Sequence, residues 1–211
     1  MLKKAIWRIL EAGSAAWMNR YVPPLRDNGW FRSRREDRCV DGAGEPLPWL
    51  AYPAIDFLKR RVSPSLSVFE YGSGASTLWW ARRVRSVSSV DHDASWAGKV
   101  AAQAPANVEV AHVPLDGTSA YARHILAQGK PFDIVVIDGA ERVACVAPAM
   151  SSLTAAGVIV FDNSERPEYQ EGYRQLGAGG FRRLELVGMA PLIDYQIETS
   201  IFYRPGNCLG L

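Results

Sequence analysis

Phe69-Glu70-Tyr71-Gly72-Ser73-Gly74-Ala75-Ser76-Thr77 is the stretch whose reading decides the fold. Residues 66–71 form an apolar run with the look of a buried strand, and residues 76–84 suit a helix, so the glycines fall at a strand-to-helix turn. Glycine there lets the backbone bend tightly and approach a ligand. The helix start beyond it presents unpaired amides that suit an anion. In open α/β sheets such ligands lie at the carboxyl ends of the strands, near the point where strand order reverses. The dinucleotide fingerprint Gly-x-Gly-x-x-Gly is incomplete here, because Thr77 takes the third glycine position and Glu70 is no part of that pattern.

Working outward, strands and helices alternate. Strands are expected at residues 87–91, 108–113, 132–137 and 158–161, with helices at 95–104, 119–127 and 143–153 between them. Runs such as Phe132-Asp133-Ile134-Val135-Val136-Ile137 are apolar almost throughout, as in parallel strands covered on both faces. The rhythm predicts a Rossmann-like, doubly wound α/β fold: seven strands, mostly parallel with a C-terminal antiparallel strand, and helices on both faces. A helix at 167–176 and strands at 182–187 and 199–204 complete it.

Residues 1–64 read as an N-terminal helix and a lid-like extension, and residues 65–211 as the main domain. Leu2, Ile6, Ile9, Leu10, Gly13 and Trp17 recur at helical spacing and form one face, which needs cover from the domain or from a second subunit in a homodimer. Residues 23–48, rich in Pro, Gly and Arg, read as irregular, with a helix following at 54–61.

With 24 basic and 22 acidic residues the formal net charge is +2, so no strong field calls for nucleic acid. Three distant cysteines give neither a zinc spacing nor a disulfide framework. The ~18 consecutive apolar residues of a membrane span are absent, and the expected location is the cytoplasm.

Taken together, these motifs resemble class I S-adenosylmethionine-dependent methyltransferases over about residues 65–204. The Glu70-to-Gly74 run is similar to their motif I. Phe132 to Gly139 is similar to their fourth-strand motif. Ala156 to Asn163 is similar to the fifth, with Ala156 where the family usually has glycine. The resemblance implies an S-adenosylmethionine site in which Glu70, Gly72, Ser73 and Gly74 hold the methionine portion. It also implies contact of Ser76 with the cofactor carboxylate, of Asp91 with the ribose, with Asp93 as the nearby alternative, and of Asp116 with adenine. Asp138 borders both cofactor and acceptor. Plainer roles stand beside these: a helix cap for Ser76 and Asp91, and a turn for Asp116-Gly117.

The acceptor is expected to be a small molecule or a glycan-type, sugar-containing compound methylated at oxygen, with Asp138, Asp162 and Asn163 as candidate catalytic residues. The Asp then Asp-Asn pattern resembles catechol-type O-methyltransferases, and that resemblance implies a Mg²⁺ ion held by these three residues. Those enzymes carry a lysine where this chain has Glu141, and a metal-free role in binding or deprotonating the acceptor is the alternative. A non-catalytic binding protein of the same fold and a nicotinamide-dependent oxidoreductase are the competing functions. The histidines, His92, His112 and His124, read as structural or surface residues.

Overall fold

The structure is a computed structural model that describes residues 5–7 and 23–211. A seven-stranded sheet forms its centre, built from β1 (Ser67–Tyr71), β2 (Ser86–Asp91), β3 (Val108–His112), β4 (Phe132–Ile137), β5 (Leu153–Asp162), β6 (Arg182–Gly188) and β7 (Ile197–Tyr203). The strand order is β3-β2-β1-β4-β5-β7-β6. All neighbours from β3 through β5 pair in parallel, and β7 runs antiparallel between β5 and β6. Strand order therefore reverses between β1 and β4, where Tyr71 pairs with Ile137.

Successive residues of the central strands serve opposite faces of the sheet, which explains the unbroken apolar runs. Val68, Ile134 and Val160 join Leu58, Trp79 and Trp80 on one face. Phe69, Val135 and Phe161 join Tyr121, Val146 and Leu176 on the other. The covering helices are α3 (Tyr52–Arg61), α4 (Ala75–Ala81), α5 (Ala94–Ala101), α6 (Ala120–Arg123), α7 (Arg142–Ser151) and α8 (Gln170–Ala178).

Several boundaries differ from expectation. The helix expected at 119–127 is one turn of α-helix followed by a 3-10 helix, His124–Gln128. β5 starts at Leu153, five residues before the expected strand, and its pairing with β4 slips in register between Phe132 and Ile134. The segment read as irregular contains α1 (Pro23–Asp27) and α2 (Trp30–Glu36). Trp30 and Ser33 give α2 a buried side, and Trp30, Leu47 and Leu50 enter the same core cluster as Val68 and Val160. Of the expected N-terminal apolar face, Leu2, Ile9, Leu10, Gly13 and Trp17 lie outside the described residues. Ile6 is exposed, and its neighbour Trp7 packs edge-on against Trp30 with the Arg34 guanidinium over its ring. Among the described residues no helix is long and apolar enough to cross a membrane.

Candidate functional site

A cavity of about 1320 Å³ opens at the carboxyl ends of the parallel strands, at the point where their order reverses. Gly72, Ser73, Gly74, Ser76, Asp91, Asp138, Asp162 and Asn163 all line it. Glu70 and Asp116 do not.

The loop between β1 and α4 forms one end. Gly72 has φ +89, and a Cβ there would lie 2.9 Å from both the Asp138 carbonyl oxygen and Gly139 Cα, so only glycine fits against the end of β4. At Gly74 the backbone is extended, and an added Cβ would lie 3.8 Å from the Trp96 ring, an ordinary contact. Asp91, at the end of β2, fastens the loop: Oδ2 accepts from the Ser73 amide at 2.8 Å and its hydroxyl at 3.2 Å, and Oδ1 accepts from the Asp93 amide at 2.9 Å. Asp93 caps α5 by accepting from the Trp96 amide, and the Trp96 indole donates to the Ser73 carbonyl at 2.6 Å. Ser76 is the second residue of α4, whose cap is Gly74, so Ser76 is not the cap.

Glu70 lies fully buried beneath this loop. Its Oε2 accepts from the Thr77 and Ser89 hydroxyls, and Oε1 has no partner. Thr77 also accepts the Gly74 amide, at 2.9 Å. Burial pushes the Glu70 carboxyl up to about 8, against the pull of the Ser76, Thr77 and Ser89 hydroxyls, so it is mostly protonated at neutral pH. Thr77 was singled out in the sequence only as a missing glycine; its bridging role needs the tertiary fold.

Asp116 is exposed and away from the cavity. Its carboxylate accepts from the Thr118 amide at 3.0 Å and hydroxyl at 2.5 Å, next to Gly117 at φ +77. These bonds hold it below the usual carboxylate range. The Asp116-Gly117 turn expected as its plainer role is formed, and Asp116 does not line the cavity.

The other end is made by β4, β5 and the start of α7. Asp138 and Asp162 both line this end, and the charge of Asp138 bears on Asp162. Arg142 donates to Asp138 Oδ1 at 2.9 Å, to the Gly139 carbonyl at 3.0 Å and to the Asp162 carbonyl. Asp162 Oδ1 accepts from the Thr199 hydroxyl, which in turn accepts the Ala51 amide at 3.0 Å. Burial raises both carboxyls. Asp138, opposed by Arg142, reaches about 6, and Asp162, next to the charge of Asp138, is raised well above its ordinary value. The pair therefore holds one proton between its members at neutral pH, with the remaining charge against Arg142. Asn163 follows at φ +52, a left-handed conformation that asparagine tolerates. Arg142 stands where its role is visible only in three dimensions, one turn after Asp138. Glu141 is exposed and does not line the cavity.

Mg²⁺ does not fit this donor set. Asp138 Oδ1 already faces the Arg142 guanidinium, and Asp162 Oδ1 accepts from the Thr199 hydroxyl. Among the described residues no group of three or more His, Cys, Asp or Glu side chains is placed to hold a metal ion.

Two further segments wall the cavity. Residues 37–49 cross it as a strap closed by the Val40–Pro46 bridge, and a Glu45–Arg82 ion pair ties the strap to the end of α4. The loop between β6 and β7 brings Leu192, Ile193 and Tyr195. Trp30 and Arg34 of α2 hold that loop by donating to the Ile193 carbonyl, at 2.6 Å, and to the Leu192 carbonyl. Residues 37–49 of the N-terminal segment border the cavity. Its arginine run faces elsewhere: Arg32 is bonded to Glu36 and the Gly42 carbonyl, and Arg34 to the β6–β7 loop.

No protein-family model matches the chain, and no curated protein does. Solved structures do. Precorrin-8w decarboxylase of Methanobacterium thermoautotrophicum superposes with a TM-score of 0.58 at 16% identity, covering 80% of this chain and 98% of that one. Precorrin-6y C5,15-methyltransferase of Geobacter metallireducens gives 0.54 at 14% identity, over 72% and 87%. An rRNA methylase of Streptococcus thermophilus gives 0.51 at 13%, over 72% and 96%. The names of these proteins differ in what they act on, so the likeness speaks for architecture and not for an acceptor. The chain has the class I S-adenosylmethionine-dependent methyltransferase fold.

Proposed function

We propose that the protein is an S-adenosylmethionine-dependent methyltransferase acting at an oxygen atom of a small molecule, sugar-containing compounds included. The observation that carries this reading is the cavity itself. The glycine loop, Gly72 to Gly74, lines one end and the acid pair, Asp138 and Asp162, the other.

Gly72, Ser73, Gly74 and Ser76 are the residues to hold the cofactor, with Asp91 fixing their loop and reaching the ribose. The residues fit: Gly72, Ser73 and Gly74 line the cavity, the Trp96 ring stands beside Gly74, and Glu70 Oε1 has no hydrogen-bond partner beneath the loop. When bound, the cofactor supplies an electrophilic methyl group on a sulfonium. The protein's work is then to position an acceptor in line and to remove its proton. Asp138, oriented by Arg142, would take the proton from the acceptor hydroxyl as that oxygen receives the methyl group. Asp162, held by Thr199, lines the same end of the cavity. Asn163 adds a polar side chain beside the acceptor.

The test is labelled-methyl transfer to a set of hydroxylated small molecules, comparing wild type with Asp138→Asn. Loss of about 100-fold or more in transfer, with S-adenosylhomocysteine binding retained, is the expected outcome. Wild-type turnover by the variant would remove Asp138 from the chemistry.

A further inference from the structure

We propose that the Asp162 side of the cavity is an acceptor subsite for an anionic aromatic molecule, a hydroxylated aromatic carboxylate, bound by Arg166, Tyr195 and Trp49. The proposal rests on the methyltransferase reading above and names the acceptor class for it.

Volume comes first. At about 1320 Å³ the cavity exceeds the roughly 300–1,000 Å³ of a site for one drug-sized ligand, so a second molecule has room beside a cofactor at the glycine loop. The apolar surface is unusual too. Trp49, Trp96 and Tyr195 are exposed by 49%, 47% and 60%, and all three line this cavity. Large rings left open inside a concave site are what a flat ligand stacks on. Trp96 belongs to the glycine-loop end through its bond to Ser73. The other two stand on segments tied to the acid pair. Trp49 precedes Ala51 by two residues and Tyr195 precedes Thr199 by four, and the Thr199 hydroxyl joins the Ala51 amide to Asp162. The Tyr195 loop is fixed, with Leu192 at φ +70 and the carbonyls of Leu192 and Ile193 held by Arg34 and Trp30. Both rings are thus presented by braced backbone tied to the acid pair.

Charge narrows the class further. Three arginines of the cavity wall are already paired: Arg38 with Glu36, Arg82 with Glu45, and Arg142 with Asp138. Arg166 follows β5 closely, acts electrostatically on Asp138, and makes no side-chain hydrogen bond or ion pair among the described residues. It is the cation at this end left to meet a carboxylate. An aromatic ring between that cation and the acid pair has its carboxylate at Arg166 and its hydroxyl within reach of Asp138.

The experiment uses the full chain saturated with S-adenosylhomocysteine, titrated by calorimetry with 4-hydroxybenzoate and with its neutral counterpart, 4-hydroxybenzamide. The benzoate is expected to bind about tenfold more tightly than the amide, the equivalent of about 1.4 kcal/mol. Arg166→Gln is expected to erase that preference, and Tyr195→Ala to weaken both ligands, while both variants bind S-adenosylhomocysteine as the wild type does. Binding of S-adenosylhomocysteine without the benzoate overturns the subsite and leaves the methyltransferase reading standing. Equal binding of benzoate and amide, or a preference that survives in Arg166→Gln, overturns it as well. Failure to bind S-adenosylhomocysteine removes the underlying reading and the subsite with it.

Discussion

Replacing Glu70 by glutamine should change how stability depends on pH more than it changes stability at any one pH. Glu70 has no exposed surface and its carboxyl is raised from an ordinary 4.5 to about 8 by burial. The folded protein therefore keeps a proton that the unfolded chain has released, and each rise in pH between those values favours unfolding. The slope approaches about 1.4 kcal/mol per pH unit and amounts to about 2.5 kcal/mol between about pH 5 and about pH 7. Glutamine keeps the shape and the bond from Thr77 but cannot titrate. Its amide nitrogen would stand where Oε1 already lacks a partner, at a cost of about 1–3 kcal/mol that does not vary with pH. The assay is urea unfolding followed by tryptophan fluorescence at several pH values, for both proteins. Asp138 and Asp162 are common to both and cancel in the difference. The variant should gain on the wild type by about 2.5 kcal/mol over that interval. Curves that stay parallel within about 0.5 kcal/mol would refute the claim that Glu70 is folded in its protonated form.

Arg142→Gln takes the only ion-pair partner of Asp138 among the described residues and should raise the Asp138 carboxyl further above about 6. Because the base works ionised, activity rises as pH climbs through that value, and the midpoint of the rate profile should move upward by about one unit or more. An unmoved midpoint would mean that Arg142 does not orient the base. Trp30→Phe removes the donor to the Ile193 carbonyl but keeps a ring, and should loosen the β6–β7 loop by about 1 kcal/mol. Limited proteolysis within residues 189–196 should speed up, and a wild-type cleavage rate would show that the indole bond does not brace the loop.

How much of this could be read from sequence depended on whether a residue acts locally. The central strands were legible because Val68-Phe69 and Ile134-Val135 send successive side chains into two different cores, leaving no polar alternation. The glycine loop was legible because strand, glycines and helix follow directly in the chain. α2 was not, because Gly29 before it and four charged residues within it look like loop. In the fold, Gly29 at φ +81 packs against the Asp41 backbone, and Trp30 and Ser33 form the buried side. The early start of β5 was hidden in a run that also suits a helix end, Leu153-Thr154-Ala155-Ala156. Asp91, Asp138 and Asp162, at strand ends, line the cavity, whereas Asp116 lies outside it with its carboxylate engaged in a local Asp-Gly turn. Thr77, Arg142 and Tyr195 carried no signal of their own; each acquires its part through a neighbour distant in sequence or one turn away on a helix.

The central claim is that the glycine loop fastened by Asp91 binds the adenosyl cofactor, and calorimetric titration with S-adenosylhomocysteine tests it most directly. The wild type should bind one equivalent per chain, with a matching rise in melting temperature. Asp91→Ala, which frees the Ser73 amide and hydroxyl from the loop's anchor, should bind at least about tenfold more weakly. No heat and no stabilisation of the wild type at about millimolar ligand, where even a weak site would be half filled, would contradict the account.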